Sequence, residues 1–276
     1  MPLDRPKLAA NEVLMSILGA VNNRVKFWAY QTQGLFWFSL KTVTSLFRRP
    51  LYASETLEQM YLIGVGSLFL VGLTGIFSGQ GFALAFSQEL EAFGAKDYLG
   101  RIMSIAIVRE LGPTLTGIMV AARVAAGITA EIGAMKSSNQ LDAMKAFGID
   151  PIKKLACPRL ISLIIMLPIL TVMCDVVALT GGWIIGVFIT HVSSTMYWSS
   201  VMYKINFGNM VVGTVKPLVF SFIIAFISCY LGFTAEGGTK GVGRATATSV
   251  MMSSVTILVV NFMLTKMFGS LLRGYL

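Results

Sequence analysis

The sequence predicts an all-α integral membrane protein with an N-terminal interfacial amphipathic helix, five transmembrane helices and a short cytoplasmic helix. Three observations support this fold class. The 276 residues are 55% hydrophobic and only 13% charged, whereas soluble domains carry about 25% charged residues. Five apolar stretches are long enough to cross a bilayer. Finally, Lys and Arg cluster on one side of those stretches, which explains the net charge of +9 without nucleic-acid binding.

The first 50 residues are predicted to form the interfacial helix region, and residues 51–276 the five-span domain. Apolar residues recur at helical spacing from Leu14 to Trp28, with polar and basic residues opposite. The stretch from Leu35 to Phe47 is rich in Phe and Trp and ends in Arg48-Arg49-Pro50. This pattern is typical of a helix lying in the membrane interface. A soluble amphipathic helix packed on a partner is the alternative.

The first span is predicted within Gln59–Gln88, which contains no charged residue. Its glycines Gly75 and Gly79 form a small-xxx-small pair that permits close helix packing. The four later spans are predicted at about 102–126, 160–189, 215–234 and 247–268. The connecting segments are predicted as polar loops at 89–101, 131–159 and 191–210 and a glycine-rich turn at 236–244.

The positive-inside rule orients the spans. The segment before the first span and the 131–159 segment are rich in Lys and Arg, whereas the segments after the first and third spans contain few. The N-terminus, the 131–159 segment and the 236–244 turn are therefore expected in the cytoplasm. With five spans, the C-terminus is expected on the periplasmic side.

The most informative stretch is Arg109-Glu110-Leu111-Gly112-Pro113, inside the second span. A charge at the bilayer centre costs about 2.5–3.5 kcal/mol on insertion scales, so both charges must face protein or water. Neighbouring residues on a helix point about 100° apart, so each charge needs a partner elsewhere. Pro113 cannot donate to the carbonyl of Arg109, which predicts a kink. The stretch indicates a polar cavity or gate, or an ion pair that fixes helix register.

Two other charges lie within spans. Arg123 follows Arg109 by nearly four turns and is expected near the same face, although it could equally extend to the interface. Asp175 lies in the middle of the third span. It could bind a proton or ion, pair with an arginine, or be satisfied by Thr171 or Thr180.

The 131–159 segment is predicted to contain a short capped helix. Ser137 and Gln140 have the spacing of a capping box, and Leu141, Met144 and Phe147 form an apolar strip beside Asp142 and Lys145. Gly148 suits the position after a helix end, and Pro151 stops continuation. This helix could dock on a partner or pack on its own spans.

Motifs for enzymatic chemistry are missing from the sequence. It contains no nucleotide-binding Gly-x-x-x-x-Gly-Lys-Ser/Thr motif. The three cysteines lie singly, and the one histidine, His191, is at a span end. We therefore expect a non-enzymatic chain with no catalytic residues, no metal site and no bound cofactor.

An ordered set of motifs resembles the MlaE family of ABC transporter permeases, which work with MCE-domain proteins. The resemblance covers residue 55 to the C-terminus. The motifs are Arg109-Glu110-Leu111-Gly112-Pro113, Ala122-Arg123, Thr129-Ala130-Glu131-Ile132-Gly133-Ala134-Met135, Gln140-Leu141-Asp142-Ala143-Met144, Gly148-Ile149-Asp150-Pro151 and Pro158-Arg159.

The resemblance implies a homodimer in the bacterial inner membrane, with a cytoplasmic ATPase dimer that binds ATP and Mg²⁺ and an MCE hexamer on the outer face. The cargo would be phospholipid or a related lipid, moved between the inner and outer membranes and maintaining outer-membrane lipid asymmetry. The lipid cavity would be bordered by Arg109, Glu110 and Leu111, with Gln80 and Phe82 as further candidates. Gly112 and Pro113 would act as a hinge. Coupling to the ATPase would involve Glu131, Gly133, Gln140, Leu141, Asp142, Met144, Phe147, Gly148 and Asp150.

Two other functions remain open at this point. An ion-coupled secondary transporter would use Arg109, Glu110 and Asp175 as a relay and need no ATPase. A non-transporting membrane anchor for a periplasmic complex would need neither cargo nor ATPase. The direction of transport, the lipid headgroup and the outer partner do not follow from the sequence.

Overall fold

The computed structural model describes residue 26 and residues 30–46 and 52–271. All regular secondary structure in these ranges is helical. We label the helices α1 to α8 in chain order: α1 (30–46), α2 (Ala53–Ala92), α3 (Lys96–Ser137), α4 (Gln140–Ala146), α5 (Ile152–Phe188), α6 (Ser194–Lys204), α7 (Phe207–Thr234) and α8 (Gly238–Leu271).

Five of the described helices are long and apolar enough to cross a membrane: α2, α3, α5, α7 and α8. The predicted all-α fold with five spans is confirmed. The helices are longer than the predicted spans, however. The helices continue into the segments that were predicted as connecting loops and turns. Only residues 93–95 separate α2 from α3, and only residues 235–237 separate α7 from α8. Charged residues are compatible with a helix once it has left the hydrocarbon.

The predicted loop at 191–210 is wrong, because it contains α6. Tyr197 and Val201 of this helix are fully buried, and the Tyr197 hydroxyl donates to the carbonyl of Leu179 at 3.0 Å. Burial raises the pKa of the Tyr197 phenol. Because α6 has only one buried face, its sequence lacks the long apolar run by which the spans are recognised.

The spans α2 and α5 pack closely along their length through small residues. A Cβ at Gly79 would collide with the carbonyl of Ala178, and one at Gly75 would lie 3.1 Å from the carbonyl oxygen of Cys174. The prediction that Gly75 and Gly79 permit close helix approach is therefore confirmed.

The apolar core is divided into two clusters. The α4-side cluster joins α3, α5 and α7 around residues such as Val120, Leu160 and Phe220, and includes Leu141 of α4. The α6-side cluster surrounds Tyr197 and includes Leu99 and Met103 of α3. The charged segment at 109–113 lies between these two clusters along α3.

Helix α1 has one face packed on the protein and one exposed. Phe38 is buried and its ring contacts those of Tyr230 and Phe233, with centroids 6.0 and 5.5 Å away. Phe36 and Trp37 are 66% and 61% exposed. Most of the predicted helix between Leu14 and Trp28 lies outside the described residues.

Candidate functional site

The Arg109–Pro113 stretch lies where α3 changes its helical winding. Residues Ile107–Leu111 form a π-helical turn, and Gly112 and Pro113 begin the next α-helical segment. Pro113 has no amide hydrogen to donate to the carbonyl of Arg109. Such turns occur frequently at functional sites and release main-chain carbonyls for other partners.

Lys216 of α7 occupies this position. Its Nζ donates to the carbonyl of Arg109 at 2.8 Å and lies 2.8 Å from Oε2 of Glu110. The Lys216 side chain has 0% exposure, against 33% for Glu110. A lysine this deeply buried requires a charge partner and saturated hydrogen bonds, and the turn in α3 provides the charge partner and two of the three acceptors.

Helix α8 completes the coordination of the carboxylate. Thr265 Oγ1 lies 3.0 Å from both oxygens of Glu110, and Lys216 donates to the same hydroxyl at 2.9 Å. Asn261 Nδ2 is 3.4 Å from Oε2. Glu110, Lys216, Asn261 and Thr265 form what we call the Glu110 cluster. It links three membrane-spanning helices through one carboxylate.

Arg109 is more loosely held than its neighbour. Its Nε is 4.0 Å from Oε1 of Glu110, and its side chain is 21% exposed. Its guanidinium also lies close to Gly269 of α8. The expectation that Arg109 and Glu110 do not fully neutralise each other agrees with this geometry, because Lys216 makes the shorter ion pair with Glu110.

Lys216 was missed in the sequence analysis, which began the fourth span at residue 215. Helix α7 begins at Phe207, so Lys216 lies well inside the span. The signal was present: a lysine directly before Pro217 interrupts an apolar helix, as Arg109 and Glu110 do before Pro113.

Asp175 of α5 lies on the opposite side of the same turn. It is 9% exposed, and its Oδ1 has no hydrogen-bond partner among the described residues. A Cβ at Gly112 would collide with this oxygen. The suggestion that Thr171 or Thr180 satisfies Asp175 is wrong, because their hydroxyls donate to the carbonyls of Leu167 and Val176.

The other predicted cavity residues lie towards the α6 side. Leu111 is partly buried against the α6-side cluster, together with Phe86. Phe82 stacks on Phe86 with a centroid distance of 6.1 Å, and Gln80 is half-buried on the same helix. Leu111 and Phe86 thus each pack against the α6-side cluster, whereas Glu110 is bound by α7 and α8.

Arg123 does not share a direction with Arg109. It lies in a second π-helical turn, Ala121–Ala125, and its Nη1 donates to Ser67 and to the Leu62 carbonyl of α2 at 2.8 and 3.3 Å. The prediction that Arg109 and Arg123 share one face of α3 is wrong. Each π-helical turn contains one extra residue, which rotates the side chains after it by about 100° around the helix axis.

The predicted coupling residues before α4 are engaged within the chain. Glu131 lies 2.7 Å from Arg159, whose side chain is only 2% exposed. Gly133 is buried where a Cβ would lie 3.1 Å from Val242 of α8. Both residues therefore connect the end of α3 to neighbouring spans.

The start of α4 differs from the prediction. Helix α3 continues through Ser137, and Asn139 is the N-cap in the left-handed conformation at φ 58°, without a side-chain cap. The predicted capping box between Ser137 and Gln140 is wrong. Gln140 is exposed, and the Ser138 hydroxyl donates to the carbonyl of Ala134.

The end of α4 agrees with the prediction. Gly148 has φ 75°, and the amides of Gly148 and Ile149 donate to the carbonyls of Lys145 and Met144 at 2.9 Å each. This is a Schellman ending. Pro151 then starts a new helix, and Asp150 accepts from the amide of Ile152 at 3.0 Å.

The apolar strip of α4 is divided between the interior and the surface. Leu141 is 5% exposed and belongs to the α4-side cluster, which Met144 contacts, whereas Phe147 is 83% exposed. Asp142 forms an exposed ion pair with Lys145 at 2.8 Å, and this hydrogen bond lowers the pKa of Asp142.

Comparison with known proteins gives a consistent result. The family model described as permease MlaE matches residues 56–267. A probable ABC transporter permease protein of Rickettsia felis is 39% identical over 256 residues, covering 93% of this chain and 99% of the relative. A probable ABC transporter permease protein of Synechocystis is 34% identical, covering 87% and 92%.

A plant protein is also similar. The chloroplastic protein trigalactosyldiacylglycerol 1 of Arabidopsis thaliana is 33% identical over 228 residues, which cover 83% of this chain and 65% of the plant protein. Its name refers to a galactolipid.

Proposed function

Because the chain belongs to the MlaE permease family, and is thus the multi-pass permease subunit of an ABC transporter, we propose that its cargo is phospholipid or a related lipid. The lipid would move between the bacterial inner and outer membranes. The galactolipid in the name of the plant relative supports a lipid cargo. The Glu110 cluster is the observation that carries the proposal, because it places ionised groups among the membrane-spanning helices, beside the partly exposed Arg109.

In this proposal the neighbouring charged residues Glu110 and Arg109 have different roles. Glu110 is fully engaged by Lys216, Thr265 and Asn261, so it holds three spans together. Arg109, at 21% exposure and 4.0 Å from Glu110, keeps donors for a further anion. In the proposed mechanism Arg109 meets the lipid phosphate, while apolar side chains such as Leu111 and Phe82 contact the acyl chains.

The proposed assembly is a homodimer in the inner membrane, with the N-terminus and α4 in the cytoplasm and the C-terminus in the periplasm. An ATPase dimer would dock on the α4 side, where Phe147 is 83% exposed. Movement there would reach α3 through the Glu131–Arg159 pair. The outer face, near α6, would meet an MCE-domain hexamer. The exposed side chains of α8, including 70% exposed Phe262, leave an apolar surface for a second copy or for lipid.

The test is ATP-dependent transfer of labelled phospholipid by the complete complex in proteoliposomes. Arg109→Gln is expected to abolish transfer while the complex assembles and melts normally. The matched control is Arg101→Gln, about two turns before Arg109 in α3, whose guanidinium lies over the Tyr203 ring. Full transfer by the Arg109 variant would remove that arginine from the mechanism, and absence of lipid transfer by the wild-type complex would overturn the cargo.

The ion-coupled secondary transporter is now the weaker hypothesis, because membership of an ABC permease family implies an ATPase. Co-purification tests that partner directly. Leu141→Asp is a poor probe, since Leu141 is buried in this chain. Phe147→Asp is better, because the exposed ring can be changed without disturbing the core. We expect it to reduce ATPase recovery, with Phe207→Asp as the control at an 84% exposed ring.

A further inference from the structure

A second charged site lies between α2 and α3, away from the Glu110 cluster. Here a cleft of about 350 Å³ is lined by residues of both helices, including Arg123, Leu62, Gly127, Gln59 and Glu131. Arg123 is exposed, and it forms no ion pair with any acidic side chain in the described ranges.

The guanidinium of Arg123 is positioned by the protein. Its Nη1 donates to Ser67 at 2.8 Å and to the carbonyl of Leu62 at 3.3 Å. It lies directly over Gly66, where a Cβ would be 2.6 Å from Nη1 and 2.8 Å from Cζ. Only Nη1 is used in these bonds, so Nη2 and Nε remain available as a planar pair of donors. The absence of a side chain at Gly66 makes this placement possible.

The cleft lies at about the depth in the membrane at which the hydrocarbon core ends. The uncharged stretch Gln59–Gln88 has its midpoint near residue 73. Leu62 is therefore about 17 Å from that midpoint along the helix, close to the roughly 15 Å half-thickness of the hydrocarbon core. At this level a membrane offers phosphate groups as the abundant anions, and an exposed, preorganised guanidinium binds phosphate with two parallel hydrogen bonds.

Glu131, the acidic residue that lines the cleft, does not occupy the place of a phosphate at Arg123. Glu131 follows Arg123 by about two turns, or roughly 12 Å along the axis, and its carboxylate is already 2.7 Å from Arg159. Gly127 lies between them, and a Cβ there would meet nothing within 4 Å. The space beside Arg123 is therefore open, and 49% exposed Leu62 offers an apolar surface next to it.

We propose that this cleft is a lateral lipid-binding site, in which Arg123 holds the phosphodiester of a phospholipid from the leaflet on the α4 side. The lipid enters from the bilayer, with its phosphate at Arg123 and an acyl chain along Leu62. The site is separate from the Glu110 cluster, and it does not require the proposed transport function to be correct.

The experiment is native mass spectrometry of the full-length chain in detergent, titrated with dioleoylphosphatidylglycerol. Arg123→Gln should weaken the tightest lipid-binding step at least tenfold, whereas the control Arg101→Gln should leave it unchanged. Equal lipid affinity of Arg123→Gln and wild type would overturn the site.

A second pair of variants keeps the test valid if Arg123→Gln does not fold. Gly127→Leu should fill the cleft and displace the lipid while retaining the arginine. Gly72→Leu is the control, because its Cβ also meets nothing within 4 Å but lies outside the cleft. Unchanged lipid binding in Gly127→Leu would contradict the proposal.

Competition distinguishes a lipid from a free anion. Inorganic phosphate should not displace the bound phosphatidylglycerol, because it lacks the acyl chain. Complete displacement by inorganic phosphate would overturn a lipid site in favour of an anion site. None of these measurements needs ATP or an ATPase, so their failure is distinguishable from failure of the transport proposal.

Discussion

The two carboxylates beside the turn at 107–111 have opposite surroundings. Glu110 is within hydrogen-bonding distance of Lys216, Thr265 and Asn261, whereas Oδ1 of Asp175 has no partner among the described residues and packs against Gly112. Glu110 therefore joins helices through its ion pair and hydrogen bonds, whereas the Asp175 carboxyl group fits where it does because Gly112 has no side chain. The difference teaches that a carboxyl group within a span can be bound by polar partners on other helices, as Glu110 is, or be packed without a hydrogen bond at Oδ1 against a glycine, as Asp175 is.

The largest effect is expected from Lys216→Met, which leaves Glu110 without its main cation. Removing one partner of a buried pair costs about 3–5 kcal/mol, and because Glu110 is 33% exposed, the free energy of unfolding should fall by about 3 kcal/mol, the lower end of that range. Thermal and denaturant unfolding in detergent would measure it. The double variant Glu110→Gln with Lys216→Met should recover much of the loss. A double variant no more stable than Lys216→Met would show that Lys216 acts through something other than Glu110.

A smaller loss is expected from Gly112→Ala, because the new Cβ would collide with Asp175. Such overpacking costs about 1–3 kcal/mol. In an Asp175→Ala background the same change should cost less, since the carboxylate is gone. Gly72→Ala is the matched control and should be neutral or slightly stabilising. If Gly112→Ala lowered the free energy of unfolding equally in both backgrounds, its cost would not come from the collision with Asp175.

Asp175→Asn sharpens the comparison most directly. Because Oδ1 of Asp175 has no partner to lose, we expect the free energy of unfolding to change by less than about 1 kcal/mol. Glu110→Gln should destabilise the protein more, since it leaves Lys216 uncompensated. Unfolding measurements on the two variants side by side would check the ranking. Equal losses would mean that Asp175 has an ionic role in the folded state.

The smallest effect is expected at the exposed pair of Asp142 and Lys145. The hydrogen bond from Lys145 lowers the pKa of Asp142, so its contribution is present above the ordinary aspartate pKa and is lost as the pH falls through the lowered value. Because both side chains are exposed, Lys145→Gln should leave the melting temperature unchanged at neutral pH. A clear drop would contradict this picture of α4.

The sequence was sufficient to predict the spans because apolar runs and basic flanks are local properties. It also indicated the close approach at Gly79 and the end of α4 at Gly148, since glycine has few substitutes at such positions. It did not indicate that Lys216 would meet Glu110, because residues 106 positions apart are joined only by the fold. The π turns had no pattern that hydropathy could detect, so the direction of Arg123 was wrong.

The separation of Glu110 from its partners also constrains how the chain is inserted. Ribosomes deliver α3 well before α7, and Thr265 follows Lys216 by a further 49 residues. During translation the carboxylate therefore leaves the insertion channel before its cation exists. Either α3 waits beside the channel until α7 emerges, or it crosses transiently protonated. In both cases α7 brings the cation that pairs with Glu110, and α8 then adds the neutral hydrogen bonds of Asn261 and Thr265.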